Sequence, residues 1–502
     1  MTATEREPRP TRPQRAVVGI AVGAAWIAGL FVAAPLVGGV GLVAIAEAII
    51  TRSPGWLSTL AVSRLGFYAQ PVLVAGIGAA ILVGTLVGAV LWPRDAPVGP
   101  YGPVLVGAAV TIALFHAVGA GPSVGAAVGL FVALGPPYLV TGLLGELATS
   151  ENRRGFLTDV GRIAIVGTVS LAGLRLLFDR LAGPRESERV EEPLAQPVSP
   201  PDGDPAFDFD GMPSAVTAPG DHYVVDITVT PPRIDPDQWT LDVDGAVENP
   251  YQLTYDELLE HDERVEQTVT MICISNRIGG DLIGSGHWTG VQLSDLIAAA
   301  DPSADAVDVV THAADGYSEA IPLDLIERED ILIAYGMGDR TLATEHGFPA
   351  RLLIPGRYGM KMTKWIDRIE IVEEEHEAYW QARGWDEAAV VNTMSYVRGA
   401  ERVGDRVAIG GVAFAGLESG VEEIRAVEVS VDGGDTWHEA ALEEQLDVHA
   451  WRRWRYEFDA PTQTEFDVVV RAIERDGTVQ TDEETSPRPS GATGWHRTVV
   501  EV

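Results

Sequence analysis

The sequence predicts three structural units in series: a membrane-embedded helical bundle, an α+β domain and an all-β domain. Residues up to about 180 are rich in Ala, Gly, Val and Leu and carry few charges. After a Pro- and acid-rich stretch, strand-like runs alternate with helical ones; from about Asn392 strand-like runs alone remain.

Five apolar stretches in the first unit are long enough to cross a bilayer: Ala16–Leu36, Ala69–Trp92, Tyr101–Val118, Val124–Leu147 and Val160–Leu177. Gly38–Ile50 extends the first or enters the membrane partway. Small residues such as Gly76, Gly78, Gly84 and Gly88 predict close helix packing in lipid. Arg6, Arg9, Arg12 and Arg15 precede the first span, and Arg153, Arg154 and Arg162 precede or open the last. Positive charge stays inside, so with five spans the N-terminal tail and the loop before the last span both lie on the cytoplasmic side, and the chain after Leu177 emerges outside. Arg52 and Arg64, in the first outer loop, oppose this placement. Ser150–Leu157, with adjacent Arg153 and Arg154 before an apolar run, resembles a twin-arginine export signal placed internally. The units read as a cytoplasmic tail (1–15), a transmembrane domain (16–182), a linker (183–219), an α+β domain (220–391) and a β domain (392–502).

Pro193, Pro197, Pro200, Pro201 and Pro205 make the linker extended or mobile. In the α+β domain, strands are expected at Tyr223–Val229, Trp239–Val243, Val265–Ile274 and Val307–His312, and helices at Thr254–His261 and Leu293–Ala300. The last unit alternates strands such as Val407–Phe414, Ile424–Val431 and Phe466–Ile473 with turns at Asp432-Gly-Gly434 and Asp476-Gly477. That pattern predicts an immunoglobulin-like β-sandwich without its disulfide.

The formal net charge is -36, which excludes nucleic acid as a partner because phosphates would be repelled. Acid excess with only two lysines, Lys361 and Lys364, resembles proteins of salt-adapted organisms. Cys273 is the single cysteine, so it serves either packing or thiolate chemistry. It closes the apolar run Val269–Ile274, just before Ser275-Asn276-Arg277 and a loop holding Gly279, Gly280, Gly284 and Gly286. A strand end opening into glycines is where backbone can approach a ligand. A second cluster, His346 to Trp365, brackets an apolar strand with His346 and Arg351 on one side and both lysines on the other. Basic residues around a Gly-rich turn make an anion pocket. A solvated basic loop is the plainer alternative.

Together these motifs resemble the sulfite oxidase family of molybdopterin-dependent oxidoreductases, in its membrane-anchored branch. The residues that carry the likeness are Cys273-x-Ser-Asn276-Arg277, Trp288-x-Gly-x-x-Leu293, His346-Gly-Phe-Pro, Pro355-Gly356, Lys364-Trp365, Tyr379-Trp-Gln and Gly494-Trp495-His496. The resemblance implies a sulfite-oxidase-like molybdopterin domain followed by a dimerisation domain. It implies a molybdenum–molybdopterin cofactor, with molybdenum bound by the Cys273 thiolate and the pterin dithiolene. Catalytic roles fall to Cys273, Arg277, Lys361 and Trp385, and cofactor binding to Asn276, Asp315, His346, Arg351, Thr363 and Lys364.

Ile278 stands where sulfite oxidases carry a second arginine, Trp385 stands near their active-site tyrosine, and Tyr223–Asp226 lacks their arginine. The expected reaction is therefore two-electron oxygen-atom transfer on a small substrate, a sulfite-like oxyanion or an S-oxide. Reduction of an S-oxide, N-oxide or nitrate on the same cofactor is the alternative, and a non-catalytic surface protein a third. No haem or iron–sulfur cluster is expected, since the first half has one histidine, His116. Electrons then pass to a separate carrier: a cupredoxin, a cytochrome or a quinone. The resemblance also implies a homodimer through the C-terminal domain.

Overall fold

The computed structural model describes residues 12–33, 46, 49, 69–91, 189–196, 198–228, 231–417 and 420–502. The predicted spans Tyr101–Val118, Val124–Leu147 and Val160–Leu177 and the twin-arginine segment lie outside them.

In the first unit, α1 (Arg12–Ala33) packs against α2 (Ala69–Leu91). Among the described residues one helix is long and apolar enough to cross a membrane, at Val72–Leu91; Arg15–Leu30 is a shorter apolar helix. The five-span count thus extends beyond what is described. Close packing was expected from small residues of the second span; Gly78 faces Ile27 and Ala89 faces Gly19 across the pair, while Gly76 and Gly84 meet nothing within 4 Å. Gly19 and Gly23 of α1 share in the approach. A methyl group at Gly19 would lie 2.8 Å from the Leu86 backbone, and one at Gly23 would lie inside contact distance of Thr85 Oγ1. The four-residue spacing puts both glycines on one face of α1, where small residues let helices touch.

The second unit runs from Glu186, apart from a short segment at 228–230. Its first part holds strands β1 (Thr240–Gly245), β2 (Tyr251–Thr254), β3 (Arg264–Ile272), β4 (Ile283–Gln292), β5 (Asp308–Ala313), β6 (Ser318–Pro322), β7 (Leu332–Met337), β8 (Arg340–Thr341), β9 (Arg351–Leu353) and β10 (Ile366–Val372). Helices α3 (Tyr255–Leu259), α4 (Leu293–Ala300) and α5 (Leu323–Ile326) lie between them. One sheet has the order β2-β1-β10-β5-β6, with β1 and β10 parallel. The other runs β3-β4-β7-β8, and β9 also pairs with β7. Trp239, Leu241, Val243, Trp288, Leu293, Ile333 and Ile369 fill the core between them. α3 starts where Thr254 and Glu257 cap each other reciprocally, so the predicted helix begins at its capping box.

β11 (Met394–Val403), β12 (Arg406–Phe414), β13 (Gly416–Leu417), β14 (Gly420–Val421), β15 (Ile424–Ser430), β16 (His438–Glu439), β17 (Ala441–Leu442), β18 (Arg452–Asp459), β19 (Glu465–Glu474) and β20 (His496–Glu501) follow. They form two antiparallel sheets, β11-β12-β18-β17 and β16-β15-β19-β20, plus the β13-β14 hairpin. Alternate residues (Val407, Ile409 and Trp454 from one sheet; Val427, Val429, Val468 and Val470 from the other) share one core.

Two expectations change. The strand predicted at Tyr223–Val229 is not formed: Tyr223–Asp226 are irregular backbone, their side chains held individually rather than by a sheet. The Pro-rich stretch was expected to be extended or mobile; it holds a short 3-10 helix at Pro205–Phe207, and its described residues are anchored. Leu194 N donates to Asp339 O at 2.9 Å, and Trp451 Nε1 donates to Ala215 O at 3.0 Å. Arg453, fully buried, binds Glu443 at 2.7 Å, Asp208 at 2.6 Å and the Asp204 and Pro213 carbonyls. A long-range ion pair thus holds a segment that proline content alone would leave loose.

Candidate functional site

Cys273 follows directly on β3, whose last residues are buried on both faces. Its N–H donates to Leu282 O at 3.0 Å, and its carbonyl accepts from Asn276 N at 2.9 Å, so the chain turns immediately after the cysteine. Asn276 locks that turn: its Oδ1 accepts from Leu282 N at 3.2 Å and its Nδ2 donates to Gly280 O at 3.3 Å. The Cys273 sulfur lies 3.0 Å from Ser275 Oγ and is buried. Burial raises the thiol pKa, while the contacts with Ser275 lower it. Bound to a metal, the sulfur is held as the thiolate regardless.

Facing this end of β3 is segment 217–223, which includes a single 3-10 turn at Pro219–Asp221. Thr217 N donates to Ser285 O at 2.6 Å, and Ser285 N returns a bond to Thr217 Oγ1 at 3.0 Å, which straps the segment onto β4. Pro219 O accepts from His346 Nε2 at 2.8 Å. His222 stacks on Tyr223 at 5.1 Å and meets Trp288 and His346 edge-on at 5.9 and 5.7 Å. Gly284 makes room for the His222 ring, which would lie 2.8 Å from a methyl group there. Burial pushes His222 down to about 3, and also lowers His346, so both rings are neutral.

Arg351 opens β9, is buried, and donates through Nη1 to His346 O at 3.2 Å. Its guanidinium lies 5.2 Å above the Trp288 ring. Burial pulls it down to about 10, against the pull of the nearby Tyr223 phenol. Among the described residues no carboxylate pairs with it, so none of them compensates its positive charge.

The structure brings Cys273, Asn276, His346 and Arg351 into this neighbourhood, and disposes of the other predicted residues differently. Lys361 is buried, with its ammonium 2.6 Å from Glu319 and 2.9 Å from Ala320 O. Its charge is thus spent on a carboxylate rather than offered to a substrate. Glu319, raised by burial and lowered by Lys361, also accepts from Tyr317 at 3.2 Å. Lys364 pairs with Asp226, donates to Glu345 O at 2.8 Å and lies over the Trp365 ring. Thr363 is fully buried with its hydroxyl 2.7 Å from that of Thr311, pointed into the sheet. Asp315 sits in the β5–β6 turn and accepts from Tyr317 N at 3.0 Å. Arg277, expected to be catalytic, is exposed, because the turn locked by Asn276 carries it outward. Trp385 is buried edge-on to Trp380 at 6.1 Å, in an apolar cluster with Ile272, Ile274, Tyr358 and Met360. Two further arginines, Arg357 and Arg383, bind Glu329 at 3.1 Å and lie over the Tyr379 ring at 3.6 Å, respectively.

Residue chemistry alone did not single out His222, Tyr223, Trp288 and Glu319 as functional. The signal for the first pair was the glycines at 284 and 359, which admit their side chains.

A molybdopterin presents a metal, a heterocycle with donor and acceptor edges, and an anionic phosphate. The residues fit it. Tyr223 Oη, Trp288 Nε1 and Arg351 Nε are enclosed and make no hydrogen bond among the described residues. Unpaired buried polar atoms each cost about 1–3 kcal/mol, so three in one neighbourhood mark a ligand-binding surface. Cys273 supplies a soft sulfur donor, and Arg351 a buried charge for the phosphate.

Residues 228–380 match the family described as oxidoreductase molybdopterin binding domain, and residues 393–502 the Mo-co oxidoreductase dimerisation domain. The chain is similar to mitochondrial sulfite oxidase of Homo sapiens, 30% identical over 326 residues, which cover 54% of this chain and 59% of that protein. A nitrate reductase [NADH] of Nicotiana tabacum is 26% identical over 263 residues, 41% of this chain and 29% of that protein. The chain therefore spans little more than half the length of the sulfite oxidases it matches, and less of the reductase. The sulfane dehydrogenase SoxCD structure from Paracoccus pantotrophus shares the fold with a TM-score of 0.51 at 21% identity, covering 63% of this chain and 91% of that one. Two family domains in tandem, with a buried cysteine and an uncompensated arginine in the first, place this chain in the sulfite oxidase-like family of molybdopterin-dependent oxidoreductases.

Proposed function

We propose that this protein is a membrane-anchored, outward-facing enzyme that moves an oxygen atom, with two electrons, between a small substrate and a molybdenum cofactor. The observation that carries the reading is the convergence of the Cys273 sulfur, the Arg351 charge and the unpaired Tyr223 and Trp288 donors. The cofactor, when bound, supplies the oxygen-atom and electron chemistry. The chain supplies anchoring through Cys273, charge compensation at the phosphate from Arg351, and a fixed cysteine loop through Asn276. Buried His222 and His346 stay neutral, so they orient without adding charge.

The charges favour an uncharged S-oxide or N-oxide as substrate. Lys361 is neutralised by Glu319 and Arg357 by Glu329, while Arg277 points to solvent. The wall beside Cys273 (Ile272, Ile274, Tyr358, Met360, Trp385) is apolar. With Arg351 assigned to the cofactor phosphate, an oxyanion entering there would lose its hydration without gaining a further cation, a penalty of several kcal/mol. Similarity to sulfite oxidases supports sulfite as the second reading. The apolar helix Ala69–Leu91 and the arginines ahead of α1 support anchoring with the N-terminus inside. The Ser150–Leu157 signal supports export of a folded, loaded domain. Electrons are exchanged with a separate cupredoxin, cytochrome or quinone, and the C-terminal two-sheet domain, read as immunoglobulin-like, holds two copies together.

The test is turnover by the purified full chain on methionine sulfoxide, trimethylamine N-oxide, nitrate and sulfite, with artificial one-electron donors or acceptors. Turnover of the neutral oxides is expected; efficient sulfite oxidation with no activity on either oxide would overturn the substrate reading. A reporter fused after Val502 should be extracytoplasmic, and a cytoplasmic signal would overturn the orientation.

A further inference from the structure

The loop that follows Cys273 is held by the C-terminal domain. Arg398 of β11 donates through Nη2 to Gly280 O at 2.7 Å and through Nη1 to Gly279 O at 3.1 Å. Its side chain is half-buried, whereas Asp281, 3.1 Å from Nη1, is exposed, so the carbonyls hold it more firmly than the ion pair does. Gly280 O also accepts from Asn276 Nδ2 at 3.3 Å, and Asn276 N donates to Cys273 O at 2.9 Å. One chain of hydrogen bonds therefore runs from Arg398 through Gly280 and Asn276 to the cysteine. The register of β11 explains the aim. Val397 opposes Gly411 and Gly399 opposes Gly410, which leaves Arg398 without an opposite residue on β12. Such an extra residue bends a strand and re-aims its side chain. The linker backs the bend: a methyl group at Gly399 would lie 2.6 Å from Asp210 O, and one at Gly211 3.2 Å from Arg398 O. His496 Nδ1 accepts from Val397 N at 3.0 Å, and its ring fills the space that a side chain at Gly279 would need. The same domain grips β3 upstream as well. Asp447 Oδ2 accepts from Thr268 N at 2.8 Å, and His449 O accepts from Thr270 N at 3.0 Å. Cys273 lies along the chain between these two grips.

We propose that Arg398 is a positioning residue for the metal-binding cysteine: by fixing Gly279 and Gly280 it sets where the loop presents the Cys273 sulfur. This rests on the function proposed above. The C-terminal domain is then part of the site of its own chain. A guanidinium carries its donors in one rigid plane, so it fixes two adjacent carbonyls together, which an ammonium does not. The loop's other closures are single bonds: Cys273 N to Leu282 O, Leu282 N to Asn276 Oδ1 and Gly280 N to Arg277 O. Small displacements of a group that holds the reacting centre are costly in rate, so a clamp from a second domain bears on turnover.

The test compares the full-length, loaded protein with Arg398→Met and with Asp447→Ala, which loosens the upstream grip on β3. Each is read by amide hydrogen exchange in 274–282, molybdenum content, melting temperature, steady-state kinetics and electron paramagnetic resonance of the half-reduced metal. In Arg398→Met, exchange in 274–282 should rise about tenfold, the scale for losing a hydrogen bond to a charged group. Its kcat should fall about tenfold with KM held within about twofold, and the metal signal per bound molybdenum should change. Asp447→Ala should lower the melting temperature yet keep the wild-type signal and the wild-type exchange in 274–282. Arg398→Lys, which keeps the charge without the fork, should fall between wild type and Met, and it carries the test where Met fails to fold. Unchanged exchange, an unchanged metal signal, or the same changes in Asp447→Ala would each overturn the proposal, the last by making domain docking the cause. Wild type without molybdenum would instead overturn the underlying function, and exchange would still test the clamp.

Discussion

Replacing Lys361 with Met separates a structural lysine from a substrate-binding one. The ammonium lies 2.6 Å from Glu319, and both side chains are almost wholly buried (5% and 0% exposed). At an effective dielectric of 20, charges at that distance attract by about 6 kcal/mol before desolvation is counted. Removing one partner leaves the other charge uncompensated, a net loss of about 3–5 kcal/mol. Glu319 keeps bonds from Tyr317 Oη and Ala320 N, which offset little of this. The melting temperature should fall by roughly 5–10 °C, measured on detergent-solubilised protein. The deficit should depend on pH. Burial raises Glu319 and Lys361 lowers it, so without the lysine its folded pKa rises further above the unfolded one. Such a group favours the folded state at low pH, and that stability is lost as pH rises, so the variant should be least impaired in acid. The double variant Lys361→Met/Glu319→Gln should recover most of the loss, since Gln removes the charge and still accepts hydrogen bonds. KM for a neutral oxide should hold within about threefold at permissive temperature. An unchanged melting temperature with a tenfold higher KM for an anionic substrate would refute the reasoning.

Arg453→Met should cost about 3–5 kcal/mol, because Glu443 stays buried without its partner. It should also speed proteolytic cleavage near Asp204–Pro213, and equal cleavage rates in both proteins would count against this anchoring. His222 gives a pH signature: folded near 3 and unfolded near 6.5, it binds its proton preferentially in the unfolded chain. Its contribution is complete above pH 6.5 and lost as pH falls toward 3, amounting to about 2 kcal/mol at pH 5. Denaturant midpoints at pH 7.5 and 5 should differ by less in His222→Phe than in wild type; equal differences would exclude His222 as the group.

The parts of the site written in residue type were legible from the chain. Cys273 at a strand end, the glycine loop behind it, and His346 with Arg351 around an apolar strand all signal themselves locally. The pairing of charges was not legible. Lys361 finds Glu319 across 42 residues and Arg357 finds Glu329 across 28, so their neutrality depends on strands brought together by topology. Tyr223 was missed for a related reason. Apolar Tyr223–Val225 reads as a strand, whereas its backbone is irregular and follows a segment tied to β4 at Thr217 and to His346 at Pro219. Helix α3 was legible from its capping box, strands β3 and β5 from short apolar runs buried on both faces, and the β-rich C-terminal domain from alternation of core and surface residues. In the first unit, the glycines that let helices touch are those whose neighbours across the interface are close, which sequence does not display.

The most direct measurement is X-ray absorption at the molybdenum edge, together with metal content, for wild type and Cys273→Ser. The predicted result is one molybdenum per chain in wild type, with one sulfur fewer in the metal's coordination shell of any loaded variant. Identical sulfur coordination in the two proteins would contradict Cys273 as the ligand and, with it, the site described here.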